Sequence, residues 1–89
     1  MLEKDTEIIN KLGLHARAAT RFANTAKHFS CDIRLILGSK NIDGKSIMSL
    51  MLLAASKGTK LILQTEGKDE KEAMEALISL IENRFEEDE

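Results

Sequence analysis

A histidine with a glycine before it and an arginine after it is the feature of the sequence best suited to chemistry. Residues 10–17 read NKLGLHAR, so His15 falls between a glycine-containing turn and a run of helix-forming residues. An ordinary histidine has a pKa of ~6.5, which leaves a neutral, nucleophilic ring nitrogen near neutral pH. A phosphoryl group on such a nitrogen is labile and can be passed on. The motif therefore favours phosphoryl transfer through His15.

A helix that begins just after His15 would supply binding groups for an anion. The first backbone N–H groups of a helix have no partner within it, and together with the helix dipole they attract negative charge. We predict that a phosphoryl group on His15 meets the N–H groups of Ala16, Arg17 and Ala18. The Arg17 guanidinium would add a bidentate contact. A lone histidine before a helix is more often only a polar residue, and on this motif alone that alternative stays open.

Hydrophobic periodicity predicts four strands and three helices around this motif. Alternation predicts strands over 3–9, 32–37, 40–43 and 60–66. Apolar residues three and four apart predict helices over 16–27, 46–55 and 69–84. Ser46 would cap the second helix and Gly58 would close it, while Asp69 and Glu72 resemble a capping box. Because each helix buries one stripe, we expect an α+β, two-layer open-faced sandwich. Its four-stranded antiparallel sheet would be covered on one face by three helices, in the order βαββαβα.

Length and charge limit the classes of protein to which the chain can belong. Its 89 residues suffice for one domain, which we place at 1–85, followed by an acidic tail at 86–89 that we expect to be solvated. The net charge is −2, and without the tail 13 basic residues face 11 acidic ones. This excess is too weak for a nucleic-acid binder. So small a body has little room for an enclosed active site, and we expect function at the surface.

Cysteine content and apolar runs favour the cytoplasm. Cys31 is the only cysteine, which excludes an intrachain disulfide and fits a reducing compartment. No signal peptide is apparent, and the longest apolar run, 47–55, is far shorter than the ~20 residues of a membrane span. His28 and Cys31 are too few ligands for zinc, so neither a metal nor another cofactor is expected. We therefore predict a cytoplasmic protein without membrane insertion.

The helix after Ser46 is more apolar than one buried stripe requires. Exposed apolar surface often marks a partner site, and methionine side chains adapt to several partners. We therefore predict that Ile47, Met48, Met51 and Leu52 contribute to a docking surface. Complete burial of this helix in the core is the alternative.

The motif GLHARxA at residues 13–19 resembles the active-site signature of HPr, the histidine phosphocarrier family of the bacterial phosphoenolpyruvate-dependent phosphotransferase system. The segments NKLGLHAR, LLAASKG at 52–58 and FEED at 85–88 are similar to the nitrogen-related branch, NPr. The likeness covers nearly the whole chain. It implies a carrier that serves as a protein co-substrate and is not an enzyme. Such a carrier takes a phosphoryl group from phospho-enzyme I on His15 and passes it to enzyme IIA-type acceptors.

The same resemblance implies a docking face and a regulatory site. Thr20 and Arg21 would join the His15 site to the second helix in one docking face. The segment 44–48 resembles the region in which HPr kinase/phosphorylase modifies Ser46, although a role for Ser46 as N-cap alone is equally well supported. The family generally has proline where this chain has Ala18, a difference that should cost only ~0.4–1 kcal/mol and leave the phosphate site intact.

Two matters stay open from the sequence. It does not distinguish a sugar-related from a nitrogen-related acceptor, and we expect a monomer. The rival interpretation is a non-enzymatic regulatory ligand-binding or assembly module of ferredoxin-like topology. Such a module would share the helix-over-sheet architecture and would have no need of His15.

Overall fold

Four antiparallel strands and three helices make up the fold, in the order that the sequence predicts. The computed structural model describes all 89 residues. The elements are β1 (Leu2–Glu7), α1 (Ala16–Ala26), β2 (Asp32–Leu37), β3 (Lys40–Asp43), α2 (Ile47–Leu53), β4 (Lys60–Glu66) and α3 (Glu70–Glu82), followed by a short 3-10 turn at Arg84–Glu86. The predicted α+β open-faced sandwich is confirmed. None of the helices combines the length and the hydrophobicity that a membrane span requires.

The core lies between the helices and one face of the sheet. The strand order is β1-β4-β2-β3 with every pair antiparallel, and Leu35 of β2 lies opposite Leu63 of β4. Alternate residues of the two central strands are buried, as their pattern predicts. The predicted helical stripes meet this face through their buried members Ala19, Phe22, Ala23, Ala26, Ala73, Leu77, Leu80 and Ile81. The sheet is therefore the platform on which α1 and its preceding loop rest.

Several elements end one or two residues earlier than predicted, among them the second helix and the first strand. The second helix ends at Leu53, where Ala54 adopts a left-handed conformation with φ 54°, so Gly58 is not its stop. The carbonyl of Ala55 instead accepts the N–H of Leu14 at 2.9 Å, which ties this segment to the loop before α1. The first strand also stops sooner than predicted, at Glu7.

The capping box predicted at the third helix is not formed. The Asp69 carboxylate makes no cap and instead accepts the backbone N–H groups of Ser30 at 2.8 Å and Cys31 at 2.9 Å. The bond from Ser30 is the main reason why the pKa of Asp69 lies below its ordinary value. Asp69 thus joins the turn before α3 to the segment before β2, a long-range role that outweighs the local pattern.

The end of the chain folds back toward the start of α1. Arg84, Phe85 and Glu86 have φ of 57°, 54° and 66°, so three consecutive residues other than glycine are left-handed. Phe85 is fully buried and anchors this turn in the core. The expectation of a solvated tail is wrong for Glu87, whose side chain is only 11% exposed. The division of the chain into a domain at 1–85 and a separate tail at 86–89 remains a prediction.

Candidate functional site

His15 stands at the point where the loop after β1 becomes helix α1. It is the N-cap residue, with extended backbone angles of φ −75° and ψ 179°, and its carbonyl accepts the N–H of Ala19 at 2.8 Å. Its side chain is 28% exposed and does not cap the helix. The ring is therefore accessible from solvent and does not occupy the helix N-terminus itself.

The backbone N–H groups at the start of α1 have no acceptor. Neither the backbone nor any side chain accepts a hydrogen bond from Ala16, Arg17 or Ala18, and the first turn contains no acidic residue. Such groups carry the positive end of the helix dipole. The structure thus places three donors without acceptors and a partly exposed imidazole at one end of an 11-residue helix. Ala16 and Arg17 are exposed, whereas Ala18 is fully buried.

A buried asparagine shapes the loop that carries His15. Asn10 is fully buried, and its Nδ2 donates to the carbonyl of Gly13 at 2.8 Å and to Oε1 of Glu87 at 2.9 Å. The N–H of Gly13 donates in return to the carbonyl of Asn10 at 3.2 Å. These bonds close a tight turn, and with the bond from Leu14 to Ala55 they fix where His15 emerges.

The C-terminal tail forms the other wall of the site. Oε2 of Glu87 is hydrogen bonded to Nε2 of His15, and the main-chain oxygen of Glu89 accepts the N–H of Lys11 at 2.7 Å. Burial of the Glu87 carboxyl opposes its ionisation, but hydrogen bonds from Asn10 and His15 outweigh that effect. The pKa of Glu87 therefore lies below its ordinary value, and the carboxylate is ionised at neutral pH.

Positive and negative side chains face each other across an open groove beside His15. Lys11, Arg17 and Arg21 line it from one side, and residues 86–89 line it from the other. Arg21 donates from Nη1 to the carbonyl of Phe85 at 2.6 Å, whereas the exposed side chain of Arg17 makes no hydrogen bond or ion pair. The Arg17 guanidinium is thus free to bind an added anion.

Comparisons with known proteins agree with this geometry. Residues 2–83 match the family model described as "PTS HPr component phosphorylation site". The chain belongs to the HPr family. It is 55% identical over 83 residues to the phosphocarrier protein HPr of Pseudomonas aeruginosa, which covers 92% of each chain. A crystal structure of HPr from Thermoanaerobacter tengcongensis covers the whole of both chains, with 46% identity and a TM-score of 0.95.

HPr-family membership settles the general class of activity. The chain is a phosphocarrier of the phosphotransferase system and not an enzyme, as predicted, and the rival ligand-binding module is not favoured. A dimer of the same T. tengcongensis HPr is also similar, with 47% identity over 98% of this chain and a TM-score of 0.78. The similarity to the nitrogen-related branch remains a prediction, because the named relatives are HPr proteins.

The predicted second site lies at the N-terminus of α2. The Oγ of Ser46 accepts the N–H of Ser49 at 3.2 Å, so Ser46 is the N-cap, as predicted. Ser46 as a whole is half-buried. The capping role is therefore observed, and modification of Ser46 remains a prediction.

The predicted docking residues divide between exposed and engaged side chains. Met48, Met51 and Leu52 are 72%, 45% and 74% exposed, whereas Ile47 is half-buried. The complete burial of this helix is thereby excluded. On α1, Thr20 donates to the carbonyl of Ala16 at 2.8 Å, and Arg21 is held by the C-terminal turn.

Two residues that contact His15 or its loop are not among the predicted site residues. Asn10 enters the prediction only as the first letter of the motif NKLGLHAR, and Glu87 only as part of a solvated tail. A single asparagine in a loop gives no pattern of its own, but the similarity of FEED at 85–88 to NPr does mark the segment that contains Glu87. Leu12, at 66% exposed, is a further apolar side chain in the His15 loop that the prediction omits.

Proposed function

We propose that His15 is the residue of this phosphocarrier that accepts a phosphoryl group from phospho-enzyme I and donates it to an enzyme IIA-type protein. The observation that supports this best is a partly exposed imidazole beside three backbone N–H groups without acceptors. These donors favour negative charge at the start of α1. A surface site of this kind suits a carrier, since each partner can supply the remainder of the reacting centre.

Arg17 is proposed as the side chain that contacts the phosphoryl oxygens. Its guanidinium is exposed and has no partner, and its backbone N–H is one of the three free donors. A guanidinium offers two parallel donors to a phosphoryl group, which adds both affinity and orientation. Ala16 would contribute through its exposed backbone N–H group. The alanine in place of the family proline adds the N–H of Ala18, which lies in a fully buried residue and would have to become accessible to reach the phosphoryl group.

The direct test is transfer from phosphoenolpyruvate with purified enzyme I. We expect one phosphoryl mass increment on the intact protein, lost in acid, as is typical of a phosphoramidate, and localised to His15 by peptide mapping. Adding an enzyme IIA should then discharge it. Absence of the increment, or an acid-stable one, would contradict the proposal. Separate assays with sugar-related and nitrogen-related acceptors would identify the branch.

We propose one surface for the binding of enzyme I and enzyme IIA. It consists of the exposed side chains of Met48, Met51 and Leu52, together with Ile47, Thr20 and Arg21. Burying one exposed leucine in an interface contributes about 1.5–3 kcal/mol. We therefore expect Leu52→Ser to weaken binding of enzyme I about tenfold or more in titration calorimetry. Leu2→Ser, which alters an exposed leucine on β1, is the control and should bind normally. Equal affinities for the two variants would remove Leu52 from this surface.

Ser46 is proposed as a regulatory phosphorylation site for an HPr kinase/phosphorylase. Phosphate at this N-cap is compatible with the helix dipole, so it should alter surface charge beside Met48 without unfolding α2. We expect Ser46→Asp to bind enzyme I several-fold more weakly, with the difference shrinking as salt rises. Ser39→Asp, in the exposed turn between β2 and β3, supplies the same charge elsewhere. Unchanged affinity of Ser46→Asp would contradict the regulatory role.

We further propose that the protein acts as a monomer. The surfaces assigned here to partner proteins all belong to one chain, and no residue of a second copy is needed to complete the His15 site. Sedimentation at micromolar concentration would test this, and a stable dimer would overturn it.

A further inference from the structure

The imidazole of His15 is paired with a carboxylate 72 residues further along the chain. Oε2 of Glu87 is hydrogen bonded to Nε2 of His15, and Oε1 accepts a hydrogen bond from Nδ2 of Asn10 at 2.9 Å. Both carboxylate oxygens are therefore used. The side chains of His15 and Glu87 are 28% and 11% exposed, so the pair is shielded while part of the ring remains accessible.

The position of Glu87 is fixed by the fold and not by a mobile tail. Phe85 is fully buried two residues earlier, and its carbonyl accepts Nη1 of Arg21 at 2.6 Å. The N–H of Glu87 donates to the carbonyl of Arg84 at 3.0 Å. The Asn10 amide that binds the carboxylate is itself buried and bound to the His15 loop. These contacts hold the carboxylate next to one nitrogen of the His15 ring, Nε2.

An ionised carboxylate accepts hydrogen bonds and donates none, so the nitrogen that faces it must carry a proton. In the neutral ring of His15 that proton then lies on Nε2, and Nδ1 keeps its lone pair. We propose that Glu87 is a positioning residue for phosphoryl transfer, because its carboxylate holds the proton on Nε2 and so makes Nδ1 the nitrogen that takes the phosphoryl group. This inference rests on the proposed function of His15.

The transfer step balances without a proton change. The Nδ1 lone pair forms the bond to phosphorus, and the bond between phosphorus and the donor breaks with its electron pair remaining on the donor. The Nε2 proton stays where it is, so the ring becomes a phosphoimidazolium with one positive charge. The negative charge of Glu87 faces that charge directly and stabilises it. In the transfer to an acceptor, a nucleophile of the acceptor forms the new bond to phosphorus, and the bond between phosphorus and Nδ1 breaks with its electron pair returning to Nδ1.

Three variants separate the effect of the Glu87 charge from that of its contact. Glu87→Gln removes the charge and keeps an acceptor oxygen, and Glu87→Ala removes both. Glu75→Gln, the control, removes one charge from an exposed side chain of α3 that makes no hydrogen bond or ion pair. Hydrogen bonds to charged groups are stronger than those between neutral groups, so we expect phosphoryl uptake from enzyme I to slow about tenfold or more in both Glu87 variants. Glu75→Gln should match the wild type.

The protonation of the ring gives a readout that a merely structural role would not change. Long-range ¹H–¹⁵N correlation spectra of the neutral ring should show a single tautomer, protonated at Nε2, in the wild type and in Glu75→Gln. Glu87→Ala should show an added fraction protonated at Nδ1. Circular dichroism of each variant checks that the fold is retained, and Glu87→Gln serves if Glu87→Ala unfolds.

Several outcomes would overturn the inference. These are wild-type tautomers in Glu87→Ala, normal uptake rates in both Glu87 variants, or an equal loss in Glu75→Gln. Faster uptake in Glu87→Ala would show that the tail shields the ring, which also contradicts a positioning role. Failure of the proposed function looks different, since the wild type itself would then take up no phosphoryl group at His15.

Discussion

His15→Ala is expected to take up no phosphoryl group under conditions in which the wild type is fully phosphorylated. In the proposed function the imidazole is the nucleophile, and no other group at the start of α1 offers a ring nitrogen beside the free N–H groups of Ala16 and Arg17. The measurement is the phosphoryl mass increment after incubation with phosphoenolpyruvate and enzyme I. Because His15 is partly exposed and its side chain does not cap the helix, the variant should fold normally.

The chain supplies a matched control for this experiment. His28 is its only other histidine, and it is exposed beyond the end of α1. His28→Ala should be phosphorylated at the wild-type rate. Phosphoryl uptake by His15→Ala, or loss of uptake only in His28→Ala, would show that the carrier residue has been assigned wrongly.

The parts of the fold with strong local patterns were predictable from the sequence. The bounds of β2, β3 and β4 are as predicted, because alternation marks strands that have one buried face. The buried stripe of α1 follows from helical spacing in the same way. His15 could be placed at a helix start for the same reason, since the loop before it contains glycine and the residues after it favour helix.

The contacts that complete the site were not predictable in this way, because they depend on tertiary structure. Glu87 reaches His15 through a left-handed turn built from Arg84, Phe85 and Glu86, none of which is a glycine that would mark such a turn. Ala54 ends α2 in the same conformation. In both places buried neighbours determine the backbone, so propensity alone gives no indication of it.

Gly13→Ala is expected to lower the free energy of unfolding by about 3 kcal/mol or more. Gly13 has φ +68°, and a Cβ there would lie 2.5 Å from the carbonyl oxygen of Ala55 and 2.8 Å from Cα of Ser56. Both atoms are backbone and cannot rotate away. The carbonyl of Ala55 also accepts the N–H of Leu14, so the clash falls on the bond that anchors the His15 loop. Urea unfolding gives the measurement, as a lower midpoint.

A second glycine separates this clash from the cost of the backbone conformation. Gly38 has φ +60°, and nothing lies within 4 Å of the position of its Cβ. Gly38→Ala should therefore cost only the strain of the left-handed conformation, about 1–2 kcal/mol. The difference between the two losses in free energy of unfolding measures how strongly the close approach of the His15 loop to the segment after α2 disfavours a Cβ at residue 13. If the two variants were equally stable, that approach would not constrain the loop. Because the loop carries His15, the clash should also slow phosphoryl uptake in Gly13→Ala, whereas Gly38→Ala should react like the wild type.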